Sequence, residues 1–253
     1  MRTFGYRLGI AWVTVGAACS TDTGAPTGDL LNQDLATVSA DAAAQDVELM
    51  RGPGGGPFGL RLPGDPSQFE CDSVTRESLT ITRSCTFRDA GGSVQTAYDS
   101  LTTASATLHA EVDGPVDRGP WGGTVHRVRD LTVSGLAGSE TQATWNGTGT
   151  GTSSKVRQTE DGATREYNVT ESETISNVVV PVPRSDTAWP LSGSITTKMT
   201  VSITGGAEDG TTRTRDATIT FNGTQYATVT VNGESFQFDL AQRGRCRRGT
   251  GHP

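Results

Sequence analysis

A chain of 253 residues with 28 acidic and 21 basic side chains has a net charge of −7 and no basic face of the kind a nucleic-acid backbone requires. Only 33% of its residues are apolar and 6% aromatic, while glycine alone fills 32 positions. That composition argues against two thick packed layers and for a single curved sheet with one solvated face.

Residues 1–18 read as a secretory signal. Arg2 and Arg7 give it a charged start, and Leu8 to Ala18 is an apolar run too short to span a bilayer. Gly16-Ala17-Ala18 is a small-residue cleavage site followed at once by Cys19. The arrangement resembles a bacterial lipobox, although Gly16 stands where that motif usually has Leu or Val. The resemblance implies that Cys19 is diacylated and becomes the mature N-terminus; ordinary cleavage after Ala18 is the alternative. Either reading exports the protein. Ser20 resembles the sorting signal for the outer membrane, so the expected address is a lipid anchor in the cell envelope.

Residues 19–68 are expected to form a lipidated tether, a short Ala-rich helix and a Gly/Pro linker. The helix should run from Asp34, a candidate cap, to Met50, with Leu35, Val38, Ala42 and Leu49 roughly on one face. Arg51-Gly-Pro-Gly-Gly-Gly-Pro57 ends it. Such a segment either packs on a sheet or forms a loosely ordered arm.

A single β-domain is expected over 69–246, followed by a disordered tail at 247–253. Leu79–Phe87, Val94–Tyr98, Thr107–Val112, Val125–Val133, Thr141–Thr152 and Ala163–Val180 all read as strands. Asp113-Gly114-Pro115 should end the third of these, and Pro181 the last. Ile195–Ile203, Ala217–Phe221, Ala227–Val231 and Phe236–Leu240 continue the pattern. The fold class is therefore all-β: an antiparallel meander of about ten strands forming a curved sheet or flattened barrel, with a short N-terminal helix. Gly147, Gly149 and Gly151 share the face of Trp145, so something bulky, an aromatic or the helix, should lie over that bare backbone. Scarce aromatics and recurrent charges along the strands argue against an outer-membrane barrel.

Asn222-Gly223 and Asn232-Gly233 mark hairpins. Two-residue loops at both would put Ile219 and Val229 on opposite faces, because side chains alternate with period two. One turn must be longer. The expectation is a three-residue loop, Phe221-Asn222-Gly223, with Gly223 as the left-handed bulge. Ala217, Ile219, Val229, Phe236, Phe238 and Leu240 then share the core face. The alternative moves the bulge to Gly233 and buries Tyr226 instead of the valines.

Little in the chain points to chemistry. No G-x-S-x-G, phosphate-loop or HExxH motif is present, and no catalytic residue is expected. If Cys19 is acylated, Cys71, Cys85 and Cys246 remain. A Cys71–Cys246 disulfide tying the first and last strands is expected, with Cys85 a buried inert thiol; Cys71–Cys85 is the alternative. His109 with Glu111, and His126 with Asp130, are two fragments able to converge on zinc, but their spacing does not require it. They are expected to face solvent, with no metal ligand assigned, and no cofactor is implied. Arg83, Arg127, Arg129, Glu171 and Glu173 each share a face with apolar neighbours. Charges so placed must pair or reach water, as an ion-pair belt or as a polar patch in a ligand groove.

Thr144-Trp-Asn-Gly-Thr148 and Thr220-Phe-Asn-Gly-Thr-Gln225, with the signal and the Ala-rich helix, are similar to the small Thr- and Gly-rich uncharacterised lipoproteins of high-GC bacteria. The resemblance implies no activity, and it carries over only Cys19. The expected function is a non-enzymatic envelope lipoprotein, held to the membrane by its lipid, whose β scaffold contacts another envelope protein or lipid. The alternative is a carrier of an apolar ligand in the hollow of the sheet, and a hydrolase using Glu171 or Glu173 is a third reading.

Overall fold

The computed structural model describes residues 30–51, 74–76, 79–118, 121–158, 164–182, 188–205, 209–241 and 246–248. Among these residues, one helix, α1 (Leu30–Arg51), precedes twelve strands. These are β1 (Val74–Arg76), β2 (Leu79–Asp89), β3 (Val94–Gln95), β4 (Thr103–Arg118), β5 (Trp121–Ser134) and β6 (Gln142–Gln158). They continue with β7 (Thr164–Pro181), β8 (Ser192–Thr204), β9 (Thr212–Thr220), β10 (Tyr226–Val231), β11 (Glu234–Asp239) and β12 (Cys246–Arg248). The fold is all-β, as expected. Apart from β3, which pairs only with β2, the strands lie in one antiparallel sheet in chain order, and its two ends do not pair with each other.

Alternation makes each strand two-faced. Ile81, Leu108, Leu131, Trp145, Tyr167, Ile195, Ile219 and Phe238 are buried on one face, while Thr and Ser dominate the other. α1 lies against the apolar face, with its backbone closest to β9, β10, β11 and β12. Leu35 through Ala40 are each at most 6% exposed. At about 3.6 residues per turn, six consecutive buried positions cover every direction around the axis. The helix is therefore enclosed rather than laid on a surface. Ala36, Ala40, Ala42, Ala43 and Ala44 keep it thin enough to fit. Ser39 Oγ donates to Met199 Sδ at 3.3 Å, and Arg215 Nε to Asn32 Oδ1 at 3.0 Å.

Several expectations change. The helix starts at Leu30, so Asp34 lies inside it and is not its cap. Of its two expected placements the helix takes the packed one, sharing one core with the sheet. Asp113-Gly114-Pro115 does not end β4. Pro115 pairs with Thr124 on β5, beyond Thr80 and Asp113, the last β2–β4 partners among the described residues. β12 places Arg247 and Arg248 in the sheet instead of a tail.

The last hairpins resolve differently from the expected three-residue loop. Asn232 (φ 49°) and Gly233 (φ 85°) form a tight two-residue turn, with Val231 opposite Glu234. On the other side Ile219 faces Val229, so the expected apolar face is intact, but the last pair is Thr220–Thr228 and the loop is longer than predicted. Phe221 is why. Its side chain stays buried and its N–H continues the β8–β9 ladder to Gly193 O at 3.1 Å. Gly223, at φ 81°, then donates to Pro190 O at 2.9 Å, and Asn222 Oδ1 accepts from the Thr224 hydroxyl at 2.8 Å. The loop is tied to its neighbour, so register follows side-chain burial, not loop length.

Cys85 is disulfide-bonded, so it is not the inert thiol expected. The Cys71 and Cys246 side chains, and with them the expected Cys71–Cys246 pairing, lie outside the described residues, as do the signal and Cys19.

Candidate functional site

Two neighbouring places carry polar chemistry, back to back across β5–β8: a buried ion network on the inner face and a groove on the outer one.

The network follows from register. Arg127 on β5 faces Gly151 on β6, which faces Glu171 on β7; one step along, Arg129, Gly149 and Glu173 repeat the row. The glycines carry no side chains, so the arginines reach across β6. Arg127 Nε meets Glu171 Oε1 at 3.1 Å, and Arg129 Nη2 meets Glu173 Oε2 at 3.0 Å. A Cβ on Gly149 would come within 2.5 Å of Arg129 Nη1, and one on Gly151 within 2.8 Å of Glu171 Oε1. This is the bulk expected over the bare backbone, but it is ionic and not aromatic. Helix α1 adds the closing member: Asp46 Oδ1 accepts from Arg129 Nε at 2.9 Å and Asp46 Oδ2 from Nη2 at 3.3 Å. Arg129 Nη1 donates to Val128 O and Thr150 O, at 3.1 and 3.3 Å.

All five residues are buried, and their charges do not cancel: two guanidiniums face three carboxyls. Burial and the charge of Asp46 push the Glu173 carboxyl well above the usual carboxylate range, against the pull of Arg129, and a hydrogen bond from its acid form to Asp46 adds to the shift. Burial opposes the charge on Arg129, yet Asp46, Glu173 and Glu171 together raise its pKa above the ordinary value. Burial and the excess of carboxyls thus favour the protonated form of Glu173. Glu173 Oε1, Glu171 Oε2 and the facing Thr197 Oγ1 are buried with no hydrogen-bond partner among the described residues, a cost that ionising Glu173 would increase.

Of the expected patch, the structure thus brings together Arg127, Arg129, Glu171 and Glu173. Arg83 lies two strands from Arg129, across Ala110, and is half-buried. Asp46 was missed by sequence reasoning. The signal was there, since Asp46 falls four residues after Ala42, on the helix stripe of Leu35, Val38 and Ala42, where a lone carboxylate needs a buried cation.

The groove, of about 390 Å³, is framed by the outward side chains of Thr150, Thr152, Thr170, Ser172, Lys198 and Thr200, with His126 at one end. Its floor row runs His126, Thr152, Thr170, Thr200 and Thr214, each directly opposite the next on β5 through β9. At roughly 4.8 Å between strands, this is a regular ladder of hydroxyls with the exposed Lys198 beside it, opposite Asp216 on β9.

His109 and His126 face outward, as expected, and are half-exposed. His109 Nδ1 lies 2.7 Å from Asp130 Oδ1, and His126 Nδ1 lies 2.7 Å from Asp113 Oδ1. The expected grouping of His126 with Asp130 is not formed; the ladder pairs Asp130 with His109.

Comparison with protein families, with curated proteins and with solved structures gives no match to this chain.

Proposed function

We propose that the protein is a non-enzymatic lipoprotein of the cell envelope, anchored in the outer membrane through Cys19, whose β scaffold binds another envelope component. The observation that carries this reading is the division of labour between the two faces. The inner face is filled by the protein's own helix and an ion network closed to solvent, whereas the outer face offers a hydroxyl-lined groove with an exposed Lys198. The carrier alternative needs an apolar hollow, and α1 lies in that place. The strongly shifted carboxyl, Glu173, is buried beside Arg129 and not in a cleft, which favours a structural role for it over hydrolysis.

The test is cross-linking in envelopes of the natural host, followed by capture of the protein. Wild type is expected to bring down a partner, and a Lys198→Glu, Thr170→Arg double variant of unchanged fold is expected to lose it. Equal recovery by both would remove the groove from the reading. Incorporation of a palmitate analogue, lost in Cys19→Ala, tests the anchor.

A further inference from the structure

β4 and β5 carry a second polar constellation on the outer face, at the edge of the groove. Glu111 and Asp113 alternate along β4 and so project on the same side, and Asp113 is directly opposite His126 on β5. Asp113 Oδ1 lies 2.7 Å and Glu111 Oε1 3.8 Å from His126 Nδ1, and one ligand atom from each residue fits within 4.8 Å of the others. We infer that Glu111, Asp113 and His126 form a binding site for a divalent transition metal, of which zinc is the best match.

Two carboxylates on one strand face repel each other, and a single imidazole supplies at most one positive charge against them. Their neighbours across the ladder give no help: Thr80 and Thr82 stand opposite them on β2, and Thr152 lies beyond His126 on β6. An imidazole nitrogen with two carboxylate oxygens is a ligand set that suits zinc better than calcium or magnesium, which prefer all-oxygen shells. A tetrahedral ion with bonds of about 2.1 Å needs donors roughly 3.4 Å apart. The present spacings bracket that value. The three side chains are 42%, 52% and 44% exposed, so each has room for the small rotation required. Three protein ligands leave a coordination position open. His126 also lines the groove, so the three residues border the groove's hydroxyls. The site was not legible from spacing, since the fragments seen there paired His109 with Glu111 and His126 with Asp130. The strand register instead joins Glu111 and Asp113 to His126.

The inference stands apart from the proposed function, because it is read on the isolated protein without any partner. Chelator-treated protein is titrated with zinc by calorimetry, and the histidine ring resonances are followed by NMR. One zinc ion per chain is expected, with the His126 ring signals shifting and those of His109 unmoved. His126→Ala and Asp113→Asn should each weaken binding by about tenfold or more, with an unchanged circular dichroism spectrum. His109→Ala should bind as wild type does, and calcium should not compete. No zinc uptake would overturn the inference. Uptake that leaves the His126 signals in place, or that is undiminished in the His126→Ala, Asp113→Asn double variant, would overturn it as well.

Discussion

Arg129 and Glu173 meet at 3.0 Å across the backbone of Gly149, on a strand that belongs to neither of them. The glycine is what allows the contact, and Asp46 of α1 completes it from above. Sheet register, glycine placement and helix docking are therefore parts of one device, and each can be perturbed separately.

Gly149→Ala should destabilise the fold by about 2–4 kcal/mol, because the new methyl group occupies the place of the Arg129 side chain, which its carboxylate partners hold in position. Gly122→Ala, where a Cβ meets nothing within 4 Å, is the control and should stay within about 0.5 kcal/mol of wild type. Urea denaturation of the two variants measures the difference. Equal midpoints would contradict the packing described.

Glu173 gives the fold a pH dependence of definite sign. Its folded pKa is raised, by burial first and by Asp46 second, so the native state holds a proton that the unfolded chain releases above about pH 4.3. Its stabilising contribution is complete below that pH and is lost as the pH rises towards the folded value, by at most ~1.4 kcal/mol per pH unit. Glu173→Gln imitates the protonated form. Its stability minus that of wild type should grow with pH above about 4.3 and level off once the folded value is passed. Melting curves at a series of pH values test this, and a difference that stays flat would show that Glu173 is not the proton holder.

Asp46 ties α1 to the sheet through Arg129. Asp46→Leu leaves a buried guanidinium short of one partner and should cost about 3 kcal/mol or more. The loss should be concentrated where the helix docks, with amide exchange in α1 accelerating ahead of exchange in β6 and β7. Uniform acceleration across the sheet would argue that the helix contributes nothing separate.

The Asn232-Gly233 turn isolates backbone cost from packing cost. Gly233 has φ 85° and open space where a Cβ would go, so Gly233→Ala should lose about 1–2 kcal/mol through conformation alone. Asn232→Gly should be nearly neutral. A reversal of that order, measured by thermal unfolding, would mean that the turn is not of the tight left-handed kind.

Much of the architecture was written locally. Alternation of Thr with Val, Ile or Phe specifies strands and their faces without reference to distant residues, and Asn-Gly at 232–233 specifies a tight turn by its tolerance of positive φ. The same alternation placed Arg127, Arg129, Glu171 and Glu173 on the apolar face before any contact was visible.

Pairing partners were not written locally. Which residue lies opposite which depends on strand register across the whole sheet. Only that register joins Arg129 to Glu173 over Gly149, or Asp113 to His126 across β4 and β5. The place of α1 is likewise a tertiary outcome, since an Ala-rich segment suits a surface arm and a buried core equally well. It is the concave sheet, with a buried Arg129 in need of Asp46, that fixes the helix inside. Sequence determined which faces are apolar, because that is a matter of period. The fold alone decided which charges meet, because that is a matter of distance.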